Sequence, residues 1–219
     1  SGYVGAPSFW WDEVERLVLW PGTLPDKVEL AAGEARFEST VAEVGTLGEE
    51  AAASFCGWDA SRPATHPRQR LYLNLMAFLN TLAGTEREAL LAQLRAASSP
   101  AAPEREAGRP LTGEELVRLQ ADGLMEIGAH TVNHVVLARH PVTLQHEEIV
   151  RDREALEEIC GRPVRAFAYP HGGRADYTRE SVACVQRAGF AGACTTRLGG
   201  LLPWGSAGRF TDRYQIPRT

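Results

Sequence analysis

Gly123-Leu124-Met125-Glu126-Ile127-Gly128-Ala129-His130-Thr131-Val132-Asn133-His134 joins a helix stop, a short apolar run and two histidines four residues apart. Gly123 closes the preceding helix, and residues 124–129 read as a buried strand end. The histidines then fall at a strand-to-loop junction, where α/β folds place their sites. Residues i and i+4 share one face of a helical turn, so His130 and His134 can aim ring nitrogens at one point the size of a metal ion. A zincin helix needs His-Glu-x-x-His, and Thr131 occupies the position of that Glu, so a metalloprotease reading fails. Ordinary hydrogen-bonded histidines fit the bare spacing equally well.

Working outward, the pattern is regular. Thr112-Gly113-Glu114-Glu115 is a capping box opening a helix that carries Leu116 and Leu119. After the histidines, Thr143 can cap a helix with Ile149, Leu156 and Ile159 apolar, and with Glu147, Glu148, Arg151, Asp152, Arg153, Glu157 and Glu158 on a solvated face. Gly161 and Pro163 end it, and a strand over 164–169 follows. Thr178 caps another helix that closes at Gly189, before a strand over 190–196. Alternating helices and strands predict a parallel sheet or barrel with its loops on one rim.

Upstream, apolar residues at helical spacing predict a helix over about 9–19, whose Phe9, Trp10 and Trp11 read as a core stripe rather than a sugar platform. A short hairpin is expected around Val28, Leu30, Ala35 and Phe37. Helices are expected over 68–82 and over 85–96, the second opened by a capping box at Thr85-Glu86-Arg87-Glu88, and 98–108 has the composition of a linker. Residues 21–108 therefore read as a mostly helical insertion. Residues 1–20 and 109–219 make up the α/β portion.

The chain of 219 residues is 44% apolar and 23% charged, which excludes wholesale disorder. A net charge of −5 with no dense basic run argues against nucleic acid as a partner. No apolar run reaches the roughly 18 residues of a membrane span, and the first residues lack the form of a signal peptide. Cys56, Cys160, Cys184 and Cys194 have no Cys-x-x-Cys spacing and read as buried free thiols, which points weakly to a reducing, cytoplasmic compartment.

A second loop, Phe167-Ala168-Tyr169-Pro170-His171-Gly172-Gly173, combines a rigid Pro with two glycines that let backbone approach a ligand and present an N–H to a developing oxyanion. Taken with His130-Thr131-Val132-Asn133-His134 about forty residues earlier, this loop resembles the polysaccharide deacetylases, the NodB-homology group of carbohydrate esterase family four. The resemblance extends through the helix of residues 144–160, Gly161-Arg162-Pro163-Val164, Ala188-Gly189-Phe190 and Arg213-Tyr214-Gln215-Ile216-Pro217-Arg218. It also takes in Gly2-Tyr3-Val4-Gly5 and Phe9-Trp10-Trp11-Asp12-Glu13.

That resemblance implies a distorted (β/α) barrel, a divalent metal that is usually zinc, and hydrolysis of an N-acetyl group on a saccharide. His130 and His134 match the metal ligands and Thr131 the residue that supports their loop. The backbone N–H of His171 matches the oxyanion donor, with Tyr169, Pro170 and Gly172 expected against the substrate. The family's Asp-Asp pair, which supplies the base and a third ligand, is not matched, because the seven Asp residues here stand singly. Since that motif precedes the segment Gly2-Tyr3-Val4-Gly5 resembles, the barrel is expected to be N-terminally incomplete and this chain alone inactive. Ala168 stands where many members carry an Arg, and no acid His of a Leu-x-His motif follows Thr196. The rival readings are a non-catalytic barrel remnant that binds sugar or a partner, and an unrelated metal hydrolase recruiting Asp176 or Asp212 as third ligand.

Overall fold

The structure is a computed structural model that describes residues 1–41, 45–82, 84–100, 108–199 and 212–218. Its contacts divide the chain into two compact units, Pro7–Pro110, and Ser1–Ala6 with Leu111–Thr219.

In the first unit, helix α1 (Trp10–Leu19) is followed by strands β1 (Gly22–Thr23), β2 (Lys27–Ala32), β3 (Ala35–Thr40) and β4 (Thr46–Leu47). Helices α2 (Glu49–Ala53), α3 (Pro67–Leu79) and α4 (Gly84–Ala97) and strand β5 (Ser99–Pro100) complete it. β2 and β3 form an antiparallel hairpin around Gly33, whose φ of 57° suits the tight turn. Alternation buries Val28 and Leu30 on one face, as the sequence indicates. β1 pairs antiparallel with both β4 and β5. The expected linker begins with β5, and residues 101–107 of it lie outside the described residues. Helix α1 packs on α3 and α4, within the unit Pro7–Pro110. Thr85 does not cap α4, which begins at Gly84.

Two arginines inside this unit do the work of helix caps. Arg68, fully buried, donates to the carbonyls of Val18 (3.2 Å), Gly22 (3.2 Å) and Gly45 (2.7 Å), tying the end of α1 to the strands. Burial pushes its pKa down to about 10, and the charge is retained at neutral pH. Arg87 reaches the carbonyls of Leu79 and Leu82 at the end of α3 and lies 4.6 Å over the Trp10 ring. Replacing Arg68 by Met orphans buried carbonyls at about 1–3 kcal/mol each. A loss of at least about 3 kcal/mol is therefore expected for this unit in urea titrations followed by tryptophan fluorescence. A loss below about 1 kcal/mol would show that the bonds are not structural.

In the second unit, helix α5 (Gly113–Leu119) starts at the capping box of Thr112 and Glu115, as expected. It is followed by α6 (Val142–Cys160), β6 (Ala166–Ala168), α7 (Arg179–Arg187), β7 (Gly192–Leu198) and β8 (Ile216–Arg218). α6 ends at Gly161 in the left-handed conformation, and Thr178 caps α7 by a box with Ser181. β6, β7 and β8 form a parallel sheet in that order, so the two later expected strands are parallel neighbours. β8 carries Pro217 and lies at the end of the sheet order, where the missing N–H costs no ladder bond.

The strand expected at 124–129 does not form. Gly123 takes φ 78°, the Asp122 carboxylate accepts from the Leu124 N–H at 3.0 Å, and the turn carries Leu124 and Met125 out to 84% and 53% exposure. Of that run, Ala129 alone joins the sheet, as a single parallel bridge to Phe167. Among the described residues the sheets are small and open, so the architecture shown is α/β rather than a closed barrel. The thiols divide evenly: Cys160 and Cys184 are buried, whereas Cys56 and Cys194 are exposed, and all four are free. No helix of the described residues is long and apolar enough to cross a membrane.

Candidate metal centre

Ala129 donates to the Ala166 carbonyl and accepts from the Ala168 N–H, both at 2.9 Å, which sets His130 beside the end of β6. The His130 Nδ1 lies 2.7 Å from the Ala168 carbonyl oxygen. A ring nitrogen that close to a carbonyl carries the hydrogen, so the lone pair resides on Nε2, the arrangement a metal-bound imidazole uses. Burial pushes the His130 pKa below the ordinary imidazole value, against opposing contributions from the Ala168 hydrogen bond and the Asp152 charge. The ring is neutral at pH 7.

The two histidines do not share a helical turn. Thr131 and His134 adopt φ of 66° and 53°, and these left-handed residues bend the loop until the His130 and His134 ring centroids are 4.8 Å apart. His171 has φ 61° and brings its ring 4.9 Å from that of His134. Among the described residues, these three are the non-glycine residues with positive φ, and all three are at this site. For a β-branched residue such as Thr131 the conformation costs about 1–3 kcal/mol. Thr131 is buried, and its Oγ1 has no hydrogen-bond partner among the described residues.

Helix α6 holds this strained loop. The Asp152 carboxylate, fully buried, accepts from the His130 N–H at 2.7 Å and from the Ser1 nitrogen. Glu148 accepts from both the backbone N–H (2.8 Å) and the side-chain amide (2.6 Å) of Asn133. Gln145 donates to the His140 carbonyl at 2.8 Å and is itself anchored by the Ser181 hydroxyl at 2.6 Å. Glu148 and Asp152 were expected on the solvated face, and the structure buries both. The signal was available: Gln145, Glu148, Ile149, Asp152, Leu156 and Cys160 recur at helical spacing, so the polar residues belong to the inward stripe.

The second loop is built on the sheet. His171 is exposed, and its carbonyl accepts from Thr196 Oγ1 at 2.6 Å. Gly172 is buried, at φ 68°, with its carbonyl accepting from the Thr196 N–H at 3.2 Å. Tyr169, expected against the substrate, is instead a core residue. Its ring stacks on Tyr177 at 4.2 Å and its hydroxyl donates to the Tyr214 carbonyl at 3.0 Å, so it supports the loop from below. Burial raises its pKa well above the usual phenol range, which keeps that hydroxyl a donor. Pro170 is also buried.

A neutral imidazole is a metal donor, and His130, with its Nδ1 hydrogen on the Ala168 carbonyl, offers its Nε2 lone pair for that chemistry. Among the described residues, no group of three His, Cys, Asp or Glu side chains is arranged to hold an ion. Asp176 and Asp212 are not brought into such a group. Asp176 accepts from the Gly173 N–H at 2.8 Å, and Asp212 from the Tyr214 N–H at 2.9 Å and Gln215 at 2.8 Å.

Among solved structures, the chain is similar to the Streptococcus pyogenes deacetylase PplD in complex with acetate, at 21% identity over 52% of this chain and 46% of that one, with a TM-score of 0.43. A polysaccharide deacetylase from Bacillus cereus is 22% identical over 67% of this chain and 42% of that one, with a TM-score of 0.43. IcaB from Ammonifex degensii is 25% identical over 52% of this chain and 49% of that one, with a TM-score of 0.42. The chain thus matches less than half the length of each of these structures. No curated protein matches it. The polysaccharide deacetylase family model matches residues 81–192, just over half of the chain and a span that contains His130, Thr131, Asn133, His134 and the loop at 170–173. The chain belongs to the polysaccharide deacetylase family.

Proposed function

We propose that this chain carries the site of a metal-dependent hydrolase that removes N-acetyl groups from a saccharide or sugar conjugate, with His130 and His134 as ligands of a divalent ion, zinc. The observation that carries the reading is the His130 ring, whose Nδ1 is spent on the Ala168 carbonyl while its other nitrogen is left basic 4.8 Å, centroid to centroid, from the His134 ring. Such an ion, when bound, polarises an acetamide carbonyl and makes water acidic enough to supply hydroxide near neutral pH.

The residues of the chain do the rest. Thr131 fixes the bend that brings the two imidazoles together, while Asp152 and Glu148 hold that bend. The His171 backbone N–H is the proposed donor to the oxyanion, and Gly172 is the position at which backbone meets the acetyl group. In this reading β6, β7, β8 and Ala129 are part of a distorted (β/α) barrel, and residues 21–108 are an insertion into it. The base and the third ligand are carboxylates in the family's Asp-Asp pair, and this sequence holds no adjacent Asp pair. The 219-residue chain is accordingly proposed to turn over poorly by itself.

The test is acetate release from N-acetylated oligosaccharides by the protein, with and without a chelator. Release that stops on chelation and returns with zinc supports the reading. Saccharide binding without any acetate release would instead favour a non-catalytic sugar-binding role, and release that ignores chelation would rule out the metal.

A further inference from the structure

The unit that holds the histidines contains a cavity of about 450 Å³ lined by Arg174, Tyr177, Arg179, Arg197, Asp212 and Gln215, among others. It begins one residue past Gly173. Three of the lining residues are arginines, in a chain whose net charge is −5, so they are not a by-product of general basicity. Among the described residues none of the three is in an ion pair. Among the described residues the one carboxylate on the wall, Asp212, already accepts from the Tyr214 N–H and the Gln215 amide. Arg197 reaches the Gln215 carbonyl and side-chain oxygen at 3.5 Å each, the outer limit of a hydrogen bond. Its Nε is buried and has no partner among the described residues. The Nη2 of that fork, held only by contacts at this limit, is the donor an oxyanion in the cavity would engage. Thr178 and Arg179, at the start of α7, line the same wall, and the partial positive charge of that helix end adds to the field.

We propose that this cavity is an anion subsite, which takes a phosphate ester or a carboxylate carried by the saccharide. The planar forks of the arginines match both groups, and the volume accommodates a single substituted sugar. That the anion arrives on a saccharide rests on the deacetylase reading; the anion binding itself does not. Asp212 lines the rim and weakens the field without cancelling it, since three positive groups face one negative one.

The experiment is an NMR titration of the whole chain, following the arginine Nε–Hε signals with inorganic phosphate, glucuronate and neutral N-acetylglucosamine as probes. Saturable shifts with at least one anion and none with the neutral sugar are expected. Tighter binding of phosphate identifies an ester-bearing polymer, and tighter binding of glucuronate a uronate-bearing one. Arg197→Gln is expected to weaken anion binding by about tenfold, one charge-assisted bond's worth. The exposed Arg179→Ala is expected to do the same without endangering the fold. No saturable shift with either anion, or equal affinity in both variants, overturns the subsite. Anion binding retained in a protein that fails to bind zinc would overturn the metal reading alone.

Discussion

Gly172→Ala is expected to destabilise the unit of residues 111–219 by about 3 kcal/mol. A Cβ at that position would lie 2.7 Å from the backbone nitrogen of Thr196, which has no side-chain freedom with which to withdraw, and the residue would have to keep φ at +68°. The left-handed conformation costs about 1 kcal/mol for alanine and the overpacking about 1–3 kcal/mol more. The movement that relieves the clash breaks the hydrogen bond from the Thr196 N–H to the Gly172 carbonyl and shifts the His171 backbone with it. Gly123→Ala is the control. It has φ +78° in the same unit with nothing within 4 Å of its added Cβ, so it bears the conformational cost alone. Urea unfolding followed by circular dichroism should separate the two by about 2 kcal/mol. Equal losses would mean that β7 yields freely and that the loop is not braced against it.

Asp152→Ala is expected to be comparably damaging, for a different reason. The substitution removes the acceptor of the His130 N–H, empties a fully buried position and releases a loop strained at Thr131 and His134. Losing a hydrogen bond to a buried charged acceptor costs about 1.5–3 kcal/mol, before the cavity is counted. The same carboxylate orients a proposed metal ligand, so zinc affinity should fall about 10–100-fold, the usual effect of losing such a support. Glu147→Ala on the same helix removes an exposed pair with Arg151 and should cost less than about 0.5 kcal/mol with zinc affinity unchanged. A variant of Asp152 that loses stability but binds zinc normally would separate the support of the fold from the support of the site.

Local signals in the sequence survive into the structure because they depend on near neighbours. Thr112 with Glu115, Thr178 at the head of α7 and Gly161 at the end of α6 each form the cap their spacing implies. The strand at 124–129 does not form because an apolar run reports hydrophobicity and not the presence of a neighbour to pair with. Leu124 and Met125 turn outward after Gly123, and the sheet takes up Ala129 only. The histidine pair was legible as a pair, but not its geometry. The rings converge through left-handed backbone at Thr131 and His134, a conformation residue identity does not announce. The same holds for His171, singled out for its backbone, whose ring the structure adds to the row. Glu148 and Asp152 were legible through their helical spacing with Ile149 and Leu156, but carboxylates on a charged helix read as solvated unless that spacing outweighs their chemistry.

The most direct test of the account is the zinc content of the purified protein, measured by elemental analysis after dialysis against zinc and then against buffer, for the unaltered protein, His130→Ala and His134→Ala. The account predicts about one zinc per unaltered chain and none retained by either variant, each of which leaves a tetrahedral ion a ligand short. Zinc retained at the unaltered level in both variants would contradict it.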